Sequence, residues 1–173
     1  GVIVLLAAAV LSLSINRGDR SNHGDMGQMS GHMGHGSSSS KNANYTGADI
    51  MFLQMMIPHH QQAIDISNLA MKASQDAELI ELAKIIARDQ AAEIKQMKAW
   101  LTDAGASEDM GHSMDGMGGM LNDAELSALK IESGSKFDIL WLKGMTGHHD
   151  GAIHMTTMIR DASNADIKVF GEN

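Results

Sequence analysis

Apolar positions keep three different rhythms along the chain. Residues 2 to 15 form an apolar run interrupted by Ser12 and Ser14, residues 16 to 47 show almost no apolar periodicity, and from Ala48 onward hydrophobic residues return every three or four positions. That last spacing marks helices with one face turned to a core. It predicts helices from about Ala48 to Leu101, with a second one starting near Asp76. After Thr102 the pattern lapses into Gly and Met until Leu121. A short helix is expected from Ala124 to about Glu132, with Asp123 or Asn122 as its N-cap, and it leads into another patterned stretch.

The two patterned stretches are copies of each other. MMIPHHQQAI is followed, eighty-nine positions later, by GMTGHHDGAI. Asp49, Phe52, Leu53, Met56, His59, His60, Ala63 and Ile64 correspond to Asp138, Trp141, Leu142, Met145, His148, His149, Ala152 and Ile153. Copy one continues into its second helix, whereas copy two reaches Asn173 where that helix should begin. Two helices per copy make a hairpin, and two hairpins make a bundle. The expected fold is all-α, an antiparallel four-helix bundle with its fourth helix truncated.

At 173 residues one core is expected. Three segments follow. Residues 1–15 are short for a spanning helix and right for a signal peptide or the remnant of an N-terminal anchor, lacking an initiator Met and a basic start. Residues 16–47 are a flexible Met/His/Gly/Ser linker. Residues 48–173 are the bundle, divided into repeat one at 48–104, a Met/Gly-rich loop at 105–122 and repeat two at 123–173. Six aromatic residues leave the core to Leu, Ile, Ala and 15 Met. A formal charge of −8 and no basic stripe exclude nucleic acid as a partner. With no Cys, thiol nucleophiles, disulfides and Cys-based zinc sites are also excluded, and sulfur enters only as thioether.

Rotated at 3.6 residues per turn, the first helix gathers Leu53, Met56, Ile57, His60, Ile64 and Met71 on one stripe. Phe52, Met55, His59, Ile66 and Ala70 form a second seam beside it. In copy two the seams are Leu142, Met145, His149, Ile153 and Trp141, His148, Met155, Ile159. Both histidines of each pair should therefore face neighbouring helices. A Met one turn before a His puts sulfur and imidazole on one face, so Met56 pairs with His59 and His60, Met55 with His59, and Met145 with His148 and His149. Pro58 should kink the first helix or mark where its regular part begins, and Gly147 should loosen the other copy at the same place. On the second helix Gln90, Glu93 and Met97 share the apolar stripe, so Glu93 either orients an imidazole, joins a metal directly or reaches out to the bundle's edge. Asp89 and Lys95 read as surface charges.

The blander reading makes each His a satisfied core residue and each Met a filler. Two HisHis pairs at equivalent positions weigh against it, because four buried imidazoles need four partners or an ion. Soft sulfur beside imidazole favours Cu(I), with Cu(II) also accepted; silver fits the same thioethers, and zinc could bind through histidine alone. The loose segments carry more of the same chemistry. HGDMGQMSGHMGHG supplies Met26, Met29 and Met33 with His23, His32 and His35, and MGHSMDGMGGM supplies Met110, His112, Met114, Met117 and Met120. These are read as copper or silver capture, against a linker that merely tolerates Met.

MMIPHHQQAI, IIARDQAAEIKQMKAWL and FDILWLKGMTGHHDGAIHM together resemble the CopM-like family, formerly a domain of unknown function, over roughly residues 48 to 173. The resemblance implies an exported, ferritin-like helical bundle with copper binding and copper tolerance. Its matching residues are Met56, His59, His60, Gln90, Glu93, Met97, Met145, His148 and His149. The chain departs in lacking a fourth helix with a second Gln, Glu and Met. His154 and Met158, one turn apart, are additional candidates.

The expected function is a copper-binding protein of the cell envelope, periplasmic, secreted or anchored outside through its N-terminal segment, which sequesters or hands on copper. A copper-transporting or copper-accepting envelope protein is the implied partner. It is read as not an enzyme, since no nucleophile with a base, phosphate loop or paired catalytic carboxylates appear. The alternatives are a ferritin-like metal oxidase and a metal-independent interaction module.

Overall fold

Helix formation begins at a reciprocal cap. Thr46 Oγ1 accepts the Asp49 N–H at 3.1 Å while Asp49 Oδ2 accepts the Thr46 N–H at 2.8 Å, satisfying two donors that a helix start leaves without partners. In the computed structural model, which describes residues 44–111 and 118–172, this cap opens α1, Gly47–Ala73. Asp76 accepts from Glu78 and Leu79 N–H to start α2, Ala77–Ala104, which ends on Gly105 in the left-handed conformation at φ 67°. Asn122 and Glu125 form a second reciprocal cap for α3, Asp123–Ile131. Then come α4, Gly134–Met155, a 3₁₀ turn at Thr156–Ile159, and α5, Ala165–Glu172. No strand occurs among the described residues. The fold is the all-α helical bundle that the periodicity predicts.

Helix α1 is the shared element. It packs along α2 on one side and against α4 and the 3₁₀ turn on the other. Its contacts with α4 reveal the direction of packing. The Trp141 indole N–H donates to Ile66 O at 3.1 Å, and His148 Nε2 to His59 O at 3.1 Å. Seven residues forward along α4 are thus seven residues back along α1, and the two helices run antiparallel. His59 and His148, which hold corresponding positions in the two sequence motifs, lie opposite each other.

Two apolar clusters flank that point. One joins Phe52, Leu53, Met56 and Ile57 to Met97, Leu101, Met155 and Ile159. The other joins Ala63, Ile66 and Ala70 to Leu79, Ala83, Phe137, Trp141 and Met145. Helix α5 begins at Ala165, within one residue of the counterpart of Ala77, and its Phe170 stacks edge-on against Trp100 at 5.6 Å.

Several expectations change. Pro58 neither ends nor begins a helix: α1 runs through it from Gly47. Gly147 does not interrupt α4. Tyr45, inside the stretch read as linker, is buried, and its hydroxyl donates to Asp103 at 2.9 Å. Of the proposed seam Leu142, Met145, His149 and Ile153, Met145 is buried and His149 half-buried, whereas Leu142 is 46% and Ile153 60% exposed. Their counterparts Leu53 and Ile64 lie on the side of α1 that α2 covers, and the eight residues of α5 leave the matching side of α4 open.

Candidate metal centre

The site is built from the two HisHis pairs, each delivered by the register of its helix. His59 and His148 are each only 1% exposed, and their ring centroids are 3.7 Å apart at an interplanar angle of 33°. His59 Nε2 lies 2.7 Å from Gly118 O and His148 Nε2 3.1 Å from His59 O. A carbonyl can only accept, so both rings carry their proton on Nε2. Nδ1 of His59 is then a lone pair, buried and without a hydrogen-bond partner among the described residues.

His60 reaches the same state through α2. Its Nε2 donates to Glu93 Oε2 at 2.6 Å, and its buried Nδ1 has no hydrogen-bond partner among the described residues. Glu93 therefore orients an imidazole and does not merely reach out to solvent. Gln90, one turn earlier on α2, has a buried side-chain oxygen without a partner. His149 differs. It is half-buried, and its Nδ1–H donates to Met145 O one turn back on its own helix at 2.9 Å, leaving Nε2 as its basic nitrogen.

Burial keeps the stacked pair neutral. Desolvation pushes His59 down to about 4, helped by the neighbouring His60 and His149 and opposed by its bond to Gly118 O. Desolvation also pushes His148 down to about 3, and its proximity to His59 adds to the shift. Neither ring gains a proton at neutral pH.

The thioethers divide between the two clusters. Met55, Met56, Met97 and Met155 are buried in the cluster that begins at the His59 turn, with Met110 and Met158 packed against it. Met145 is buried in the other cluster, apart from Met56. His154 is exposed while Met158 is half-buried, because the α-helix ends at Met155 and the tighter 3₁₀ turn breaks their one-turn spacing. Met120 is half-buried and lines an open groove of about 430 Å³ with Pro58, Gln61 and Leu126. Met26, Met29, Met33, Met114 and Met117 lie outside the described residues. Among the described residues no three side chains of His, Asp and Glu are grouped so as to hold a metal ion.

The sequence reading missed the strand of loop that closes the site. Residues Gly118 to Leu121 lie across α4, and Gln62 of α1 pins them: its Nε2 donates to Leu121 O at 2.9 Å and its Oε1 accepts the Leu121 N–H at 2.7 Å. A Cβ at Gly151 would overlap the Gly118 carbonyl, and one at Gly144 would press into the Leu121 side chain at 2.9 Å. At Gly118 itself a Cβ would sit 2.8 Å from Met155 Sδ and 3.4 Å from His59 Cδ2. The available signal was the pair of glycines seven apart in α4, on one helical face.

Residues 49–172 match the family described as a domain of unknown function, DUF305. Among solved structures, a DUF305 protein from Streptomyces coelicolor designated as secreted is 30% identical, with a TM-score of 0.67 over 76% of this chain and 82% of that one. CopM in its Cu(I)-bound form is 30% identical, with a TM-score of 0.60 over 72% of this chain and 82% of that one. CopM in its Cu(II)-bound form gives 30% and 0.57, covering 72% and 83%. No curated protein matches the chain.

Proposed function

The chain belongs to the DUF305 family, and from that premise we propose that it is a copper-binding protein of the cell envelope that takes up Cu(I) inside its bundle and sequesters it or hands it on. One observation carries the reading. His59 and His60 each present a buried Nδ1 that no hydrogen-bond partner among the described residues satisfies, at the edge of a cluster holding Met56, Met97 and Met155. A buried basic nitrogen without a partner costs roughly 1–3 kcal/mol, and an ion removes that cost. Uncharged imidazoles and thioethers are the donors a soft monovalent cation prefers, whereas a harder ion would look for carboxylates. Relatives support the choice of ion, since CopM structures hold Cu(I), Cu(II) and silver.

In this reading His59, His60, Met56 and Met97 are the ligands, and Met155 is a further thioether within reach of His59. Glu93 and the Gly118 carbonyl act behind them, each holding the Nε2–H so that Nδ1 faces inward. His148 packs against His59 and bonds its backbone, and so supports the site without supplying a ligand. Export is supported by the secreted designation of the Streptomyces coelicolor relative; among the described residues no helix is long and apolar enough to cross a membrane. Isotope-labelled histidine in the Cu(I)-loaded protein tests the assignment. The Nδ1 resonances of His59 and His60 should shift on loading while their Nε2–H signals persist; shifts confined to His148 and His149 would move the ion to the other copy.

A further inference from the structure

The loop between the repeats does more than connect them. We infer that Gly118–Leu121 is a positioning device that locks the His59 ring in one orientation and one tautomer, and that Gly151 exists to let it in. The inference rests on the copper-site reading for its consequence but not for its geometry.

The repeat shows what the device adds. His148 donates to the carbonyl of His59, and the matching move for His59 would be to donate to the carbonyl of His148. The His148 backbone does act on the His59 ring as a hydrogen-bond partner, and the ring's Nε2 lies in addition 2.7 Å from Gly118 O. The loop thus adds a partner at His59 to the reciprocal one. Three features hold it there. Gln62 grips both polar backbone atoms of Leu121. Gly118 and Gly119 adopt φ of 56° and 74°, a region that favours glycine, and thereby turn the Gly118 carbonyl onto the ring. Gly151 offers α4 backbone with no side chain where that carbonyl approaches, and any larger residue would overlap it.

Gly147 provides the contrast. It lies on the same helix, four residues before Gly151, yet a Cβ there meets nothing within 4 Å. The absence of a side chain is required at Gly151 and free at Gly147. With Nε2 committed to Gly118 O, only Nδ1 of His59 remains to receive an ion, so the loop decides which nitrogen is the ligand.

Three variants of the full chain test this: Gly151→Ala, which evicts the loop from α4; Gln62→Leu, which releases its other end without altering α4; and Gly147→Ala as the control. In the metal-free protein the His59 Nε2–H should give a slowly exchanging proton resonance, because it is buried and bonded. That resonance should disappear in Gly151→Ala and in Gln62→Leu and remain in Gly147→Ala. Cu(I) affinity should fall by about ten- to a hundred-fold in the first two, the usual effect of losing the group that orients a metal-bound imidazole. A His59 Nε2–H signal that survives both loop variants, or a wild-type ring protonated on Nδ1, overturns the inference. Should Gly151→Ala fail to fold, Gln62→Leu gives the same answer. Loss of the signal in both loop variants, with a wild-type protein that shows the signal and takes up no Cu(I), would leave the positioning role standing and remove only the proposed function.

Discussion

Burying an imidazole at a helix crossing makes its charge state a property of the fold. His59 and His148 titrate at about 4 and about 3 against an ordinary 6.5, so between those values the unfolded chain takes up protons that the folded one refuses. The stability due to this pair is complete above pH 6.5 and is lost as pH falls towards 4, at up to about 1.4 kcal/mol per pH unit for each ring. Urea unfolding at pH 7.5, 5.5 and 4.5 should show that decline, and it should be shallower in His148→Gln, which removes one titrating ring. Equal slopes for the two proteins would mean the rings are not buried as described. The same depression has a consequence for copper: protons should compete with Cu(I) at His59 only near pH 4–5, well below the range in which an exposed histidine would release it. At this scale the sequence showed which side chains are brought inside, because HisHis one turn after Met places both on packed faces of α1. It did not show which nitrogen is free, since that is set by Gly118 and Glu93, remote in sequence and brought in by tertiary packing.

Among the helices, α1 and α2 were legible nearly to the residue. Apolar spacing gave their extent, and Asp76 and Gly105 have the chemistry of a start and a stop. Helix α4 was harder to read because its glycines look like helix breakers. Gly144 and Gly151 serve close approach, while Gly147 carries only the conformational cost of glycine in a helix. Gly147→Ala should therefore stabilise the protein by about 0.5–1 kcal/mol in thermal or urea unfolding; destabilisation would show that the helix needs freedom there. Pro58 does not mark where the regular helix begins, since α1 starts at Gly47. A proline inside a helix removes one hydrogen bond, but packing on both sides of α1 holds the helix through it, and local propensity alone gives no sign of that support.

For the whole molecule, the internal repeat foretold paired positions and left the differences between the copies to be found. Leu53 is fully buried between α1 and α2, whereas its counterpart Leu142 is 46% exposed on α4. Leu53→Ala should cost about 2–5 kcal/mol and Leu142→Ala no more than about 0.5 kcal/mol, read from unfolding midpoints; similar costs would place a covering element over α4. The same asymmetry assigns the copies different tasks. Copy one brings together His59, His60, Glu93, Met56 and Met97, and copy two supplies His148 as a packing partner and Met155 at the loop. The most direct measurement is a competitive Cu(I) titration of the full chain beside its His59→Ala/His60→Ala variant, with bound metal counted. The tightest binding event should be present in the first protein and absent from the second. An unchanged tightest event in the variant would contradict a copper site in the bundle.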